Sequence, residues 1–119
     1  MKALISKSPH IENILSGKKT WEIRGCNTNT RGEIALIQSG TGTVVGKCNL
    51  VKVLGPITLE DLQNNSDKHC VAKADIERVL GKYKKIYVWV LNDAIKLPTP
   101  IKYQHPKGAI IWVDLKIQI

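Results

Sequence analysis

A chain of 119 residues with 43% hydrophobic content is long enough for one core, so a single domain over 1–119 is expected. Eighteen Lys and Arg against ten Asp and Glu give a net charge of +8, which suits a polyanionic partner, because neutralising phosphates releases counterions. No apolar run approaches the roughly 20 residues of a membrane-spanning helix, and Met1 to Lys7 meets charge too early for a signal peptide; a cytoplasmic location is the default.

Ala3 to Ser6 reads as a first strand. Ser8-Pro9 then suits a helix start, with serine to cap free amides and proline for the first helical position. Ile11, Ile14 and Leu15 share one face at helical spacing, and Gly17 ends the helix. His10 reads as a surface residue, close to Lys19 if this helix packs beside the strand that follows.

The stretch Gly17 to Arg24 concentrates chemistry: Lys18, Lys19 and Arg24 are cations, Glu22 a carboxylate, Thr20 a hydroxyl and Trp21 an indole. If Thr20 to Arg24 is extended, alternation puts Thr20, Glu22 and Arg24 on one face and Trp21 and Ile23 on the other. The plainest interpretation is an edge strand with solvated charges. As a binding site, the cations would hold phosphate, Arg24 would offer a planar fork, and Trp21, if outside the core, would stack on a base. As a catalytic site, Lys19 as base would need a depressed pKa, and Glu22 pushes it upward. Glu22 is then the base or orienting group and Lys19 the electrostatic stabiliser.

A polar loop, Gly25 to Gly32, follows, and Glu33 to Gln38 is a buried-strand candidate. Ser39-Gly40-Thr41-Gly42-Thr43 reads as a hairpin turn; it can also cradle a phosphate on its amides, but it lacks the P-loop lysine. Val44 to Leu54 is a longer strand with a bulge at Gly46. Thr58 to Asp61 resembles a capping box opening a short helix. Gln63 to Lys68 reads as loop, Asp75 to Leu80 as a helix closed by Gly81, and Ile86 to Leu91 as the strongest strand. Lys82 to Lys85 is a solvated turn or a secondary phosphate contact. Pro98 and Pro100 suggest an extended connection before a last strand, Gly108 to Leu115. Trp89 and Trp112 are read as core.

Cys26, Cys48 and Cys70 are odd in number and widely spaced, so free thiols are expected and neither metal nor cofactor is. Five or six strands with two or three short helices, and no βαβ alternation, point to an α+β fold, mostly β, built as a small mixed barrel.

Gly17-x-Lys19-x-x-Glu22-x-Arg24 resembles the GxKxxExR signature of the ASCH (activating signal cointegrator homology) domain family. Lys7-Ser8-Pro9-His10, the strand from Arg31 to Ile37, Tyr87 to Leu91, and the tail from Pro100 to Trp112 extend the likeness over nearly the whole chain. The resemblance implies a PUA-like β-barrel with a central cleft lined by the motif strand, and an RNA- or nucleoside-related role. Members are thought to bind RNA, some are reported as ribonucleases, and a branch of similar fold hydrolyses N4-acetylcytidine with a Lys, a Thr and a Glu. Here Lys19 matches that lysine, but Glu22 occupies the threonine position and no carboxylate lies between His69 and Lys73.

The expectation is an RNA- or nucleotide-binding protein with a basic cleft. Its ligand contacts would come from Lys7, Ser8, Lys18, Lys19, Trp21, Glu22, Arg24, Asn27, Thr28, Ser39 and Thr41. The alternative is a metal-independent hydrolase, a ribonuclease or nucleoside amidohydrolase, working with Lys19, Glu22 and Thr20.

Overall fold

The computed structural model describes residues Met1–Ile119, the side chain of Leu80 excepted. The elements in order are β1 (Lys2–Ser6), α1 (His10–Leu15), β2 (Trp21–Arg24), β3 (Gly32–Gln38), β4 (Thr43–Leu54), α2 (Leu59–Gln63), α3 (Ser66–His69), α4 (Lys73–Lys82), β5 (Tyr87–Lys102) and β6 (Trp112–Asp114). The strands form one six-stranded sheet in the order β2-β5-β4-β3-β1-β6. Only β1 and β3 pair in parallel; the other neighbours are antiparallel.

The sheet curls into a half-barrel. A guanidinium nitrogen of Arg24 on β2 donates to the Ile5 carbonyl on β1 at 3.0 Å, although three strands separate these two in the sheet. Curling is helped by bulges, where the β3–β4 register shifts between Leu36 and Ile37 and the β4–β5 register shifts between Val44 and Gly46. Gly46 is obligatory there, since a Cβ would lie 2.3 Å from Leu15 and 2.5 Å from the Ile95 carbonyl. The fold is thus the expected mostly-β α+β barrel.

Three apolar clusters hold it together. Leu4, Ile34, Leu36, Leu50, Trp89 and Leu91 fill the hollow of the curl, and α1 adds Ile11 and Ile14 to that core. Ala3, Ala35, Ile37, Val44, Val113 and Leu115 form a second cluster. Trp21, Ile23 and Val88 meet Leu62 of α2 and Ile76 of α4 in the third. Trp89 is fully buried and stacks on Trp112, with centroids 5.5 Å apart and planes 12° apart. No helix among the described residues is long and apolar enough to cross a membrane.

Several local expectations change. Ser8 caps no backbone amide: its hydroxyl bonds the Glu12 carboxylate, and Pro9 holds the N-cap. Part of the stretch expected as loop is the helix α3. Gly81 lies inside α4, which continues to Lys82. Pro98 and Pro100 belong to β5, where the pairing with β4 jumps from Lys96 to Ile101 and no ladder hydrogen bond is demanded of them. The last strand shortens to three residues, because Gly108 turns the chain at φ +83. The capping box is present, with Asp61 N–H to Thr58 Oγ1 and Thr58 N–H to Asp61 Oδ2 both at 3.1 Å.

Candidate functional site

Gly17, at φ +84, ends α1 and reverses the chain. Lys19 N–H then reaches back to the Asn13 carbonyl at 2.9 Å. Thr20 is clamped on both sides, its N–H to the Lys68 carbonyl at 2.9 Å and its carbonyl from Leu91 N–H at 2.8 Å. With its backbone fixed, Lys19 turns inward and is 2% exposed, and its Nζ donates to the His69 carbonyl.

His69 is itself held in one tautomer. Its Nδ1 accepts from Val71 N–H at 2.9 Å, so Nε2 carries the proton and donates to the Leu62 carbonyl at 2.6 Å. The ring is completely buried. Cys70, at φ +57, ends α3 just beyond it. Nothing in the sequence marks His69 as the anchor of Lys19, since the bond runs to a backbone carbonyl fifty residues away.

Strand alternation works as expected along β2. Trp21 and Ile23 pack into the cluster under α2 and α4, while Glu22 and Arg24 face the inside of the curl. Glu22 is 5% exposed, and its carboxylate lies 3.4 Å from the Arg24 guanidinium. Arg24 also lies over the Trp89 ring, 5.5 Å from its centroid, and Trp89 Nε1 donates to the Cys26 carbonyl at 2.9 Å. Arg24 therefore has a carboxylate, a carbonyl and an aromatic face as partners.

His10 joins this group from the start of α1. Its Nδ1 is buried with no hydrogen-bond partner. Burial holds its pKa below the ordinary histidine value; Lys19, Arg24 and Lys7 add to the effect and Glu22 opposes it. Lys19 is also shifted down, because burial outweighs the upward pull of Glu22. Glu22 pulls Lys19 upward, as the sequence predicts, but desolvation is the larger effect and is set by tertiary burial. The Cys48 thiol is pushed up to about 12 by burial and then by Glu22.

Lys19, Glu22 and Arg24 share the inner face, but the hollow beside Lys19 is bordered by neither of the other two. That hollow, of about 130 Å³, is bordered by Lys19, Thr20, Asn92 and Asp93. Burial and its bond to the His69 carbonyl also keep Lys19 from being an exposed phosphate contact. Trp21, named as a ligand contact on the condition that it lay outside the core, is a core residue, 9% exposed, with the Lys68 ammonium 5.2 Å from its ring centroid. Lys7, Ser8 and Lys18 are exposed beside α1. Asn27 and Thr28 are engaged in their own loop, through Thr28 N–H to Asn27 Oδ1 at 2.7 Å and Thr30 N–H to Thr28 Oγ1 at 3.2 Å. Thr41 Oγ1 bonds the Gln38 carbonyl at 2.8 Å, and Ser39 borders a different groove from the one beside Lys19.

The model of the ASCH domain matches residues 4–101. The chain belongs to the ASCH domain family. That family is linked to RNA binding. Two solved structures, of the ASCH protein from Zymomonas mobilis and its serine-to-alanine mutant, resemble the chain at a TM-score of 0.75 and 17% identity, covering 97% of this chain and 87% of theirs. A tyrosine-to-phenylalanine mutant of the same protein gives the same score and identity over 89% of its length. At that identity the likeness speaks for the shared fold. No curated protein matches the chain.

Proposed function

We propose that this chain is a single ASCH domain that binds RNA, or a nucleotide cut from it, and that the partly buried Arg24–Glu22–His10 group reads a polar base edge. The observation that carries this reading is the buried His10 Nδ1 without a hydrogen-bond partner, within electrostatic reach of the Arg24–Glu22 pair. Most buried polar atoms have partners, and an orphan among charges is a natural point for a ligand. Arg24 offers donors, Glu22 accepts from an amino group, and a neutral His10 does either according to tautomer. Exposed Lys7, whose charge acts on His10, supplies a phosphate contact, and exposed Lys18 beyond the end of α1 can supply another, within a chain of net charge +8.

The test is fluorescence anisotropy with a labelled ten-nucleotide single-stranded RNA across a salt series. Affinity is expected to fall with a log–log slope of about −0.7 per phosphate contact, and Arg24→Ala is expected to weaken binding tenfold or more. Salt-insensitive or absent binding would overturn the reading.

One observation favours a second reading, a metal-independent hydrolase of RNA or of a modified nucleoside such as N4-acetylcytidine. Lys19, Thr20 and Asp93 border the same small hollow, and burial holds Lys19 below its ordinary pKa, as a proton-transferring lysine requires. Turnover of RNA or N4-acetylcytidine that disappears in Lys19→Ala would establish it; binding without turnover returns the first reading.

A further inference from the structure

Away from the Lys19 hollow, a larger groove of about 460 Å³ is bordered by Ile5, the Ser39–Gly42 turn, Tyr103, His105, Ala109 and Ile110. Its volume falls in the range of small-ligand pockets, about 300–1,000 Å³. Its walls are tied together by Tyr103 N–H to the Gly42 carbonyl at 3.2 Å. Gly40 and Gly42 adopt φ of +83 and +66, with open space where a Cβ would sit. Ile110 is 79% exposed, the most exposed large hydrophobic among the described residues.

The polar groups narrow what fits. His105 Nε2 lies 2.9 Å from the Ala109 carbonyl, which only accepts, so Nε2 carries the proton. His105 Nδ1 is then an acceptor and takes the proton of the Tyr103 hydroxyl at 2.7 Å. What Tyr103 Oη has left is a lone pair, so it asks a ligand for a donor. The Ser39 hydroxyl and the Gly40 and Gly42 amides, which bond no partner among the described residues, ask for acceptors. No carboxylate or ammonium group borders the groove, while exposed Lys102 and Lys107 flank Tyr103 and Ala109 in the chain. A ligand with a flat apolar body, donors and acceptors on its edge and an anion attached meets all of these requirements.

We propose that this groove is a second binding site, which takes one unstacked nucleobase against Tyr103 and Ile110, with its phosphate toward Lys102 and Lys107. The base comes from an RNA strand or from a free nucleotide. This site goes beyond the RNA-binding reading given above and does not depend on the Arg24 group.

The test is amide NMR of the full chain, titrated separately with AMP, UMP, ribose 5-phosphate and a ten-nucleotide single-stranded RNA. AMP and UMP are expected to move the Gly40, Gly42 and Ala109 amides, and ribose 5-phosphate to leave them in place. Tyr103→Leu is expected to weaken nucleotide binding about fivefold or more, the usual range for loss of a stacking aromatic. Ile110→Asp gives the same loss at a position too exposed to disturb folding. Nucleotides that leave these amides unmoved, equal shifts from ribose 5-phosphate, or unchanged affinity in Ile110→Asp would each overturn the proposal. RNA that shifts the groove amides as well identifies the strand as the source; movement by nucleotides alone identifies free nucleotide. RNA binding with a steep salt slope but still groove amides sinks the groove and spares the first reading. Groove shifts without any RNA affinity do the reverse.

Discussion

The molecule carries its chemistry in two places of opposite construction. Inside the curl, Lys19 and Glu22 are charged, buried and held by one polar partner each, and half-buried Arg24 has three, with one buried nitrogen of His10 left over. At the groove, His105 and Ile110 are open and Tyr103 half-buried, and they border a turn whose two glycines sit at positive φ. Burying ions costs several kcal/mol apiece before pairing returns some of it, whereas an exposed aromatic wall costs little. The inner group thus weakens the fold in exchange for a fixed geometry, and the groove leaves the fold almost untouched.

The largest way to break this contrast is to remove the floor under Arg24. Trp89 is completely buried, stacked on Trp112 and bonded to the Cys26 carbonyl. Trp89→Ala is expected to cost about 3–5 kcal/mol in urea denaturation. Tyr103→Leu, at a half-buried ring, is expected to cost about 1 kcal/mol. Equal losses would mean that the groove is as much a part of the core as the inner group.

A finer cut separates charge from packing. Lys19→Met keeps the volume and removes a buried ammonium whose pKa burial pulls down. It leaves the His69 carbonyl without its donor, a loss of about 1 kcal/mol. Desolvation of the ion is larger, so the melting temperature at pH 7 is expected to rise by a few degrees. The gain should shrink as pH climbs toward the model-peptide value of 10.5, because the unfolded lysine then also loses its proton. A variant that melts lower at neutral pH would show that the lysine, with Glu22 nearby, is a stabilising part of the core.

Much of this was written in local sequence. Period-two alternation separates Glu22 and Arg24 from Trp21 and Ile23, and the capping box and Gly17 each require only their neighbours to be understood. What could not be read is tertiary. The depth of Lys19 depends on a carbonyl fifty residues away, and the depression of its pKa on that depth. Ser39 had looked like part of the same rim as Lys19, because nothing local says that the turn after β3 opens onto another groove. The helix α3 hides in a polar stretch that propensity assigns to loop, and its last carbonyl is the group that fixes Lys19.

The smallest expected effect bears on the one inner atom without a partner. His10 is held below the ordinary histidine value of 6.5, first by burial and then by the charge of Lys19, with Arg24 and Lys7 acting the same way and Glu22 against them. Between its folded value and 6.5, the unfolded chain binds more protons at this residue than the folded one. Stability from this source is therefore complete above pH 6.5 and falls as pH drops through that window. Urea denaturation at pH 7.5 and pH 5.5 should show a loss that is smaller in His10→Gln, which has no proton to gain; comparing the two chains cancels the other histidines and the carboxylates. A ligand bonded to the neutral ring should steepen the wild-type loss and leave the variant alone, since protonating His10 would then release the ligand as well as strain the fold. Identical pH dependence in both chains would mean that His10 takes up its proton without cost, and that the inner face is wetter and more permissive than its burial indicates.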